Sequence, residues 1–520
     1  MSIDRQRRRL ESHVAGGRLD AALALLAQWR ESDPGSIEPE LLHARLDLAT
    51  GRYREARDRV LAAVCRLACP ARLARELSNS LKIFVAHDVF VEWATRYPHR
   101  KDIAAIDQAL IASDLSAAGA HDMALDWIDE AVAKSPSDTI CLVNRALICS
   151  YLGDLDRARS DLNRVIGSAQ DSAMAHWLLA RLDRQLPESN HIDRLRTTIP
   201  FCTDIRDRAM LQFALFKELD DLGDFDPAWK ALSEGCALMH RHQPYDRNAQ
   251  ERLFAAIRGA FPAQDAAVAP VSDAPVPLFI VGMHRSGTTL MERMLGSHSS
   301  VVDYGESQRL TAALRYAADH YCSQLIDGEL VARIGAIDTA EVASGYLGEG
   351  RARIGEATHV TDKTPGNFQL IGFIRRALPQ AKIIHMRRDP MDLCFANLRE
   401  LLVEGARYSH SQEDLVHFHA LYEGLMRHWH ESYPGFVLNV DYEQLVADPA
   451  AESRRVFEFC GLEWSPQVID TVGSAARPVS TLSSVQVRQP VNDRSVGRYK
   501  PYAAWLQPLQ QGLQVARALP

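Results

Sequence analysis

"VGMHRSGTTLMERML", Val281 to Leu295, decides how the C-terminal half of this chain folds. Gly282 and Gly287 stand in the G-x-x-x-x-G spacing of a phosphate-binding loop, and hydroxyl residues open the apolar periodicity at Leu290, Met291, Met294 and Leu295. The preceding "PLFIVGM" reads as a β-strand, so the whole is a strand–loop–helix unit. Such a unit aims backbone N–H groups and a helix N-terminus at an anion. In a nucleoside triphosphatase the loop carries a lysine that reaches the β- and γ-phosphates; here that position is Thr288. The loop therefore asks for an anion whose recognition does without the lysine.

Downstream, "AKIIHM" and "GFVLNVDYEQL" repeat the strand-then-helix order, which predicts a parallel sheet covered by helices. Ligands of such sheets bind beyond the C-terminal strand ends. No strand reads as an apolar run closed by a bare aspartate, where a triphosphatase holds magnesium; "AKIIHMRRDP" instead puts Arg387 and Arg388 before Asp389. A guanidinium offers a phosphate a planar fork of donors. A ligand with two separate anionic ends suits this design, one end on the loop and one on the arginines. The plainer alternative is a surface arginine pair at a strand end.

Upstream the chain repeats itself. "GRLDAALALL" starts at Gly17, "GRYREARDRV" at Gly51, "GAHDMALDWI" at Gly119 and "GDLDRARSDL" at Gly153, a 34-residue period skipped once. The skipped register falls on "VAHDVFVEWA" at Val85, and a further copy, "GDFDPAWKAL", starts two residues late at Gly223. Ala22, Ala56, Ala124 and Ala158 share one position of the repeat, and Pro34 and Pro136 another. This half resembles the tetratricopeptide repeat, which implies an α-solenoid of stacked helix pairs. Such an array serves as a platform, or holds a peptide or partner protein in its groove. The tract "FPAQDAAVAPVSDAPVP" is too rich in proline to sustain a helix. The expected organisation is a solenoid over residues 1–262, a Pro/Ala-rich linker over 263–277 and a P-loop-like α/β domain over 278–520.

Composition narrows the field. A net charge of −8 over 520 residues argues against a nucleic-acid binder. The nine cysteines are scattered and odd in number, which suits a reduced cytosol. Cys65 and Cys69 are spaced for one helical turn, but no second pair completes a metal site. The N-terminus lacks the apolar core of a signal peptide, and no stretch approaches the ~20 apolar residues of a membrane span. The sequence-based expectation is a soluble, cytoplasmic protein without membrane or metal partners.

"MHRSGTTL", "GES", "DKTP", "RRDPMD", "YEQLVADP" and "VRQPVNDRSVGRY" follow one another in the order seen in sulfotransferases that use 3′-phosphoadenosine 5′-phosphosulfate (PAPS). From Pro277 to Leu506 the chain is similar to tyrosylprotein sulfotransferases and to bacterial fusions of tetratricopeptide repeats with such a domain. The resemblance implies that Arg285, Ser286, Gly287, Thr288 and Thr289 cradle the 5′-phosphosulfate, that Arg388 and Arg498 hold the 3′-phosphate, and that Tyr442 lies near the adenosine. It also implies transfer without a metal, with 3′-phosphoadenosine 5′-phosphate (PAP) as product.

By the same resemblance Glu306 is the general base, Lys363 offsets charge near the bridging oxygen, and Ser483 assists that step, with Ser484 next to it in a soft register. His284, His298 and His385 are rival bases, since many small-molecule sulfotransferases use histidine. One position departs from the pattern: Ala396 replaces a serine that helps hold the 3′-phosphate, with Asn397 and Arg399 as candidates to compensate. The acceptor is a hydroxyl, on a protein tyrosine, a glycan or a small molecule, and a peptide could be held by the repeats. Two other classes compete: a repeat scaffold carrying an inactive nucleotide-binding module, and a metal-dependent kinase with an altered loop.

Overall fold

In the computed structural model, which describes residues 3–262, 275–349, 354–402, 405–470 and 491–518, the first half is helical throughout. Five helices, Leu19–Ser32, Tyr53–Arg66, His87–Arg96, His121–Lys134 and Leu155–Ser168, start 34 residues apart. Each follows a tight turn, and Gly17, Gly51, Gly119 and Gly153 take positive φ there, at 67°, 79°, 82° and 91°. Glycine supplies that conformation without a Cβ clash. The degraded copy keeps the turn with Val85 at φ 52°, a conformation that costs a side-chain-bearing residue about 1–2 kcal/mol. The repeated alanines, Ala22, Ala56, Ala124 and Ala158, are fully buried where helices cross.

The second half is built on five parallel strands: β1 (Val276–Val281), β2 (Val301–Asp303), β3 (His359–Asp362), β4 (Lys382–Arg387) and β5 (Val437–Asp441), in the order β2-β3-β1-β4-β5. In register, Leu278 of β1 pairs with Thr361 on one side and Lys382 on the other. Successive residues of β1 serve different cores. Leu278 and Ile280 pack with Met291, Leu295 and Val456, while Phe279 and Val281 pack with Leu310, Tyr346 and Phe395. Both faces are thus covered by helices, as an all-parallel sheet requires. The expected linker lies outside the described residues except for Pro275, Val276 and Pro277, and the last two already belong to β1.

The two halves meet along one edge of the helical array, where the first helix of each pair turns into the second. Arg54, at the start of its helix, donates through its backbone N–H to Asp319 at 2.8 Å and through its side chain to Glu341 at 2.8 Å. The N–H of Asp88 donates to Glu349 at 2.9 Å. Near the ends of the helices Ala173–Leu182 and Ile205–Leu222, Arg181 pairs with Glu400 at 2.6 Å, and Asp220 accepts from Arg399 at 2.6 Å and from Arg498 and the Tyr502 hydroxyl at 2.7 Å. The last helix pairs and the sheet share a single apolar core.

Phe261, the residue after the helix Arg247–Ala260, fastens this core. It lies against Phe373 and Trp429, and a Cβ added at Gly372 would meet its ring at 2.4 Å. Gly372→Ala is therefore expected to displace Phe261 and destabilise the whole chain by about 1–3 kcal/mol. Urea denaturation should show one midpoint moving for helix and sheet signals together.

Candidate active site

The strand order places a crevice where a ligand belongs. The connection leaving β1 runs toward β2, and that leaving β4 runs the other way toward β5, so a topological switch point lies between β1 and β4. Both features singled out from the sequence open there: the loop after β1 and the arginines closing β4.

The loop is tight because its neighbours leave no room. Gly282 has φ 154°, and a Cβ there would sit 2.7 Å from the Met386 carbonyl and from Ser286 Oγ. Gly287 has φ 101°, and a Cβ would meet the Tyr442 ring at 2.6 Å. Arg285 is held at φ 67° between them, a strained conformation of the kind found at ligand clamps. Its carbonyl accepts from Arg388 Nη1 at 2.9 Å, and its guanidinium lies 3.5 Å from Glu400. Thr288 and Thr289, both buried, begin the helix Thr288–Gly296.

Arg388 packs over the Tyr442 ring at 5.0 Å and donates its other terminal nitrogen to the Ser495 carbonyl. The segment around Ser495 thus covers the arginine, with Asp392 tying down the N–H groups of Gly497 and Tyr499. Arg388 Nε and Ser286 Oγ are buried without hydrogen-bond partners among the described residues. Around the crevice four guanidiniums, of Arg181, Arg285, Arg399 and Arg498, share two carboxylates, Glu400 and Asp220. A buried Arg388 Nε and Ser286 Oγ without partners among the described residues, beside a cluster of guanidiniums, fit an anionic ligand, since leaving such donors unmet is costly.

Lys363 follows the last residue of β3 and is fully buried, its ammonium 2.7 Å from Glu306 Oε1 and 4.0 Å from Glu292 Oε2. Half of the Glu306 side chain reaches solvent. Partial burial raises its carboxyl pKa, but the Lys363 ammonium more than offsets this and holds Glu306 below its usual range. Glu292 behaves oppositely: burial pushes it up to about 8 despite Lys363, with Asp303, Glu306 and Asp362 adding to the rise. The folded state therefore keeps a proton on Glu292 that the unfolded chain sheds above its ordinary carboxylate value, and this stability is lost as pH rises toward 8. Accordingly, Glu292→Gln is expected to raise the melting temperature more at pH 8 than at pH 6, as read by calorimetry at both pH values.

Several expectations are revised by the geometry. β3 does end on an aspartate: Asp362 is fully buried beside β1, accepts from Thr364 Oγ1 at 3.0 Å and Asn367 Nδ2 at 3.1 Å, and is pushed by burial up to about 7. A carboxylate thus stands at a strand end next to the loop, and the lysine adjoining it supplies fixed positive charge to the same cluster. Among the rival bases, His385 is a core residue of β4, bonded to Asn439 and Tyr422, and burial pulls its pKa down to about 3. His298 lies past the far end of the helix Thr288–Gly296, accepting from the Ser300 N–H. Only His284 stands in the site, 3.0 Å from the Tyr408 hydroxyl, where burial lowers its pKa against the opposing influence of Glu306.

Asn397, a residue past Ala396, donates to the His284 carbonyl at 2.7 Å and so braces the loop. Arg399 and Arg498 are both engaged by Asp220. Ser483 lies outside the described residues. Cys65 is exposed whereas Cys69 is buried beyond the end of the helix Tyr53–Arg66, so the two do not share a surface. Sequence reasoning missed Glu292, Asp362 and Glu400. Glu292 lies inside the opening quotation, but nothing in the helix periodicity marks its carboxylate; Glu400 carries no local signal at all.

Residues 277–466 match the model of the sulfotransferase family. Among curated proteins, the chain is 26% identical over 404 residues to an uncharacterized protein of Aquifex aeolicus, covering 75% of this chain and 52% of that one. It is 28% identical over 194 residues to a putative protein-tyrosine sulfotransferase of Caenorhabditis briggsae, covering 37% of this chain and 68% of the other. The chain thus spans about half the length of the first of these relatives. Among solved structures, the sulfotransferase domain of the Synechococcus PCC 7002 olefin synthase aligns over 49% of this chain and 100% of its own, at 20% identity and a TM-score of 0.33.

Proposed function

From the premise that residues 277–466 are a sulfotransferase-family domain, we propose that the protein transfers a sulfuryl group from PAPS to a hydroxyl acceptor. The observation that carries this reading is the 2.7 Å Lys363–Glu306 pair beside a phosphate loop that has Thr288 in place of lysine. PAPS would supply an activated sulfuryl group on a phosphate leaving group. Arg285 through Thr289 would hold its 5′ end by backbone N–H groups and hydroxyls. Arg388, with its orphaned Nε, would bind the 3′-phosphate, and Tyr442 would pack near the nucleoside. Arg498 would join them if its pairing with Asp220 loosened, and Ser483 remains the family's expected assistant to Lys363.

Two groups do the chemistry in this reading. Glu306 is ionised at neutral pH and takes the acceptor's proton as the oxygen–sulfur bond forms. Lys363, released toward the breaking bond, offsets the charge that builds on the phosphate oxygen. No metal is needed, because the lysine and arginines supply the positive charge.

The helical half we read as a tetratricopeptide-type solenoid that presents a protein acceptor, with a tyrosine as the sulfated residue. Support comes from the 34-residue helix register and from the similarity to a putative protein-tyrosine sulfotransferase. Incubation with sulfur-labelled PAPS and three acceptors, a tyrosine-containing acidic peptide, an oligosaccharide and a simple phenol, tests it. Label on the peptide is expected; label on the sugar or the phenol alone would reassign the acceptor. Failure to label any, with no release of PAP, would contradict the enzymatic reading.

A further inference from the structure

The phosphate loop is buttressed from outside its own domain. Arg181, in the last turn of the helix Ala173–Leu182, reaches across to Glu400 at 2.6 Å while packing on Trp177 at 4.9 Å. The other carboxylate oxygen of Glu400 lies 3.5 Å from the guanidinium of Arg285. Both Glu400 and Arg285 are largely shielded from water, with side-chain exposures of 9% and 14%. A shielded carboxylate between two guanidiniums stays charged and fixes the position of both, since removing either leaves a buried charge poorly compensated.

Arg285 is the loop residue that most needs such a hold. Its φ of 67° is strained for a residue with a side chain, and strain of this kind persists only where the surroundings over-determine it. Arg388 holds its carbonyl and Glu400 its guanidinium, and Glu400 is in turn held by Arg181. We propose that Arg181 of the helical half is a positioning residue for the donor site, acting through Glu400 to keep Arg285 in its ligand-ready conformation. The helical array then completes the anion site besides presenting an acceptor. Glu400 is held below the usual carboxylate range, because the Arg181, Arg285 and Arg399 guanidiniums together outweigh its burial, which agrees with a fully charged relay.

This inference rests on the reading of the loop as the PAPS site, and a double-mutant cycle on PAP affinity separates the two. Calorimetry would be run on the full-length wild type, Arg181→Ala, Arg181→Lys, Arg285→Ala and Arg181→Ala/Arg285→Ala. Arg181→Ala is expected to weaken PAP binding about tenfold, and Arg181→Lys to recover part of that loss. In the Arg285→Ala background, Arg181→Ala should cost less than about twofold more, because its effect passes through Arg285. Arg54→Ala, which loosens a different contact between the halves, serves as the control and is expected to leave PAP affinity within about twofold, as befits a surface pair. Additive losses in the cycle, or an equal loss from Arg54→Ala, would overturn the relay and leave Arg181 a mere fastener of the two halves. Absence of PAP binding by the wild type would overturn the donor reading and this inference with it.

Discussion

Glu306→Gln is expected to lower kcat by about 100- to 10,000-fold while leaving PAP affinity within a few-fold of wild type. The substitution keeps the shape of the side chain and an oxygen able to accept from Lys363 across the present 2.7 Å, so neither the loop nor the Arg388 site is disturbed. What it removes is the site for the acceptor's proton. The pH dependence follows from the sign of the shift: Glu306 lies below the usual carboxylate range, so the acid limb of the wild-type rate profile should lie there too. Above that limb the base is ionised and ready. Should turnover survive in Glu306→Gln, the base would pass to His284, which feels the charges of Glu306 and Lys363 in the same site.

Lys363→Met is expected to lower kcat by about 100- to 1,000-fold, comparable with the loss of one preorganised donor at a developing oxyanion. A buried charge left without its partner ordinarily destabilises strongly. Here the two carboxylates have outlets: Glu306 is half exposed to water, and Glu292 holds a proton up to about pH 8. The variant should therefore fold. Its acid limb should move upward relative to wild type, because burial of Glu306 persists while the ammonium that outweighs it is gone. A kinetic pH profile for both proteins checks this, and a limb that stays in place would remove Lys363 from the proton-transfer site.

Much of this was legible in the sequence because it is local. The 34-residue period becomes helix starts at the same interval, for the spacing of a helix pair is set by its own glycine turn and buried alanine. The strand–loop–helix around Gly282 folds as its pattern predicts, since apolar runs such as "PLFIV" have no other place than the middle of a sheet. β2 and β3 escaped notice because they have three and four residues and end in aspartate, too short and too polar for a periodicity to register. Asp362 lies in the quoted "DKTP", but with β3 unread its place at a strand end beside the loop could not be seen.

The pairs that cross the molecule lie beyond any local pattern. Arg181 and Glu400 are 219 residues apart in the chain, and nothing near either residue announces the other. The proline-rich tract reads as a spacer between independent halves, but the turn edge of the helices docks on the sheet domain from Arg54 to Asp220. A repeat consensus describes how helix pairs stack on each other and is silent about what the edge of the stack touches.

In the proposed reading, the crevice between β1 and β4 binds a nucleotide with two anionic ends and no metal. Calorimetric titration in EDTA with PAP and with adenosine 5′-phosphate, and with ATP in magnesium, tests it most directly on wild type and Arg388→Ala. PAP is expected to bind wild type without metal, adenosine 5′-phosphate to bind at least about tenfold more weakly, and Arg388→Ala to erase this difference by losing the charge-assisted bonds to the 3′-phosphate. A preference for magnesium-ATP, or PAP binding indifferent to Arg388, would contradict it.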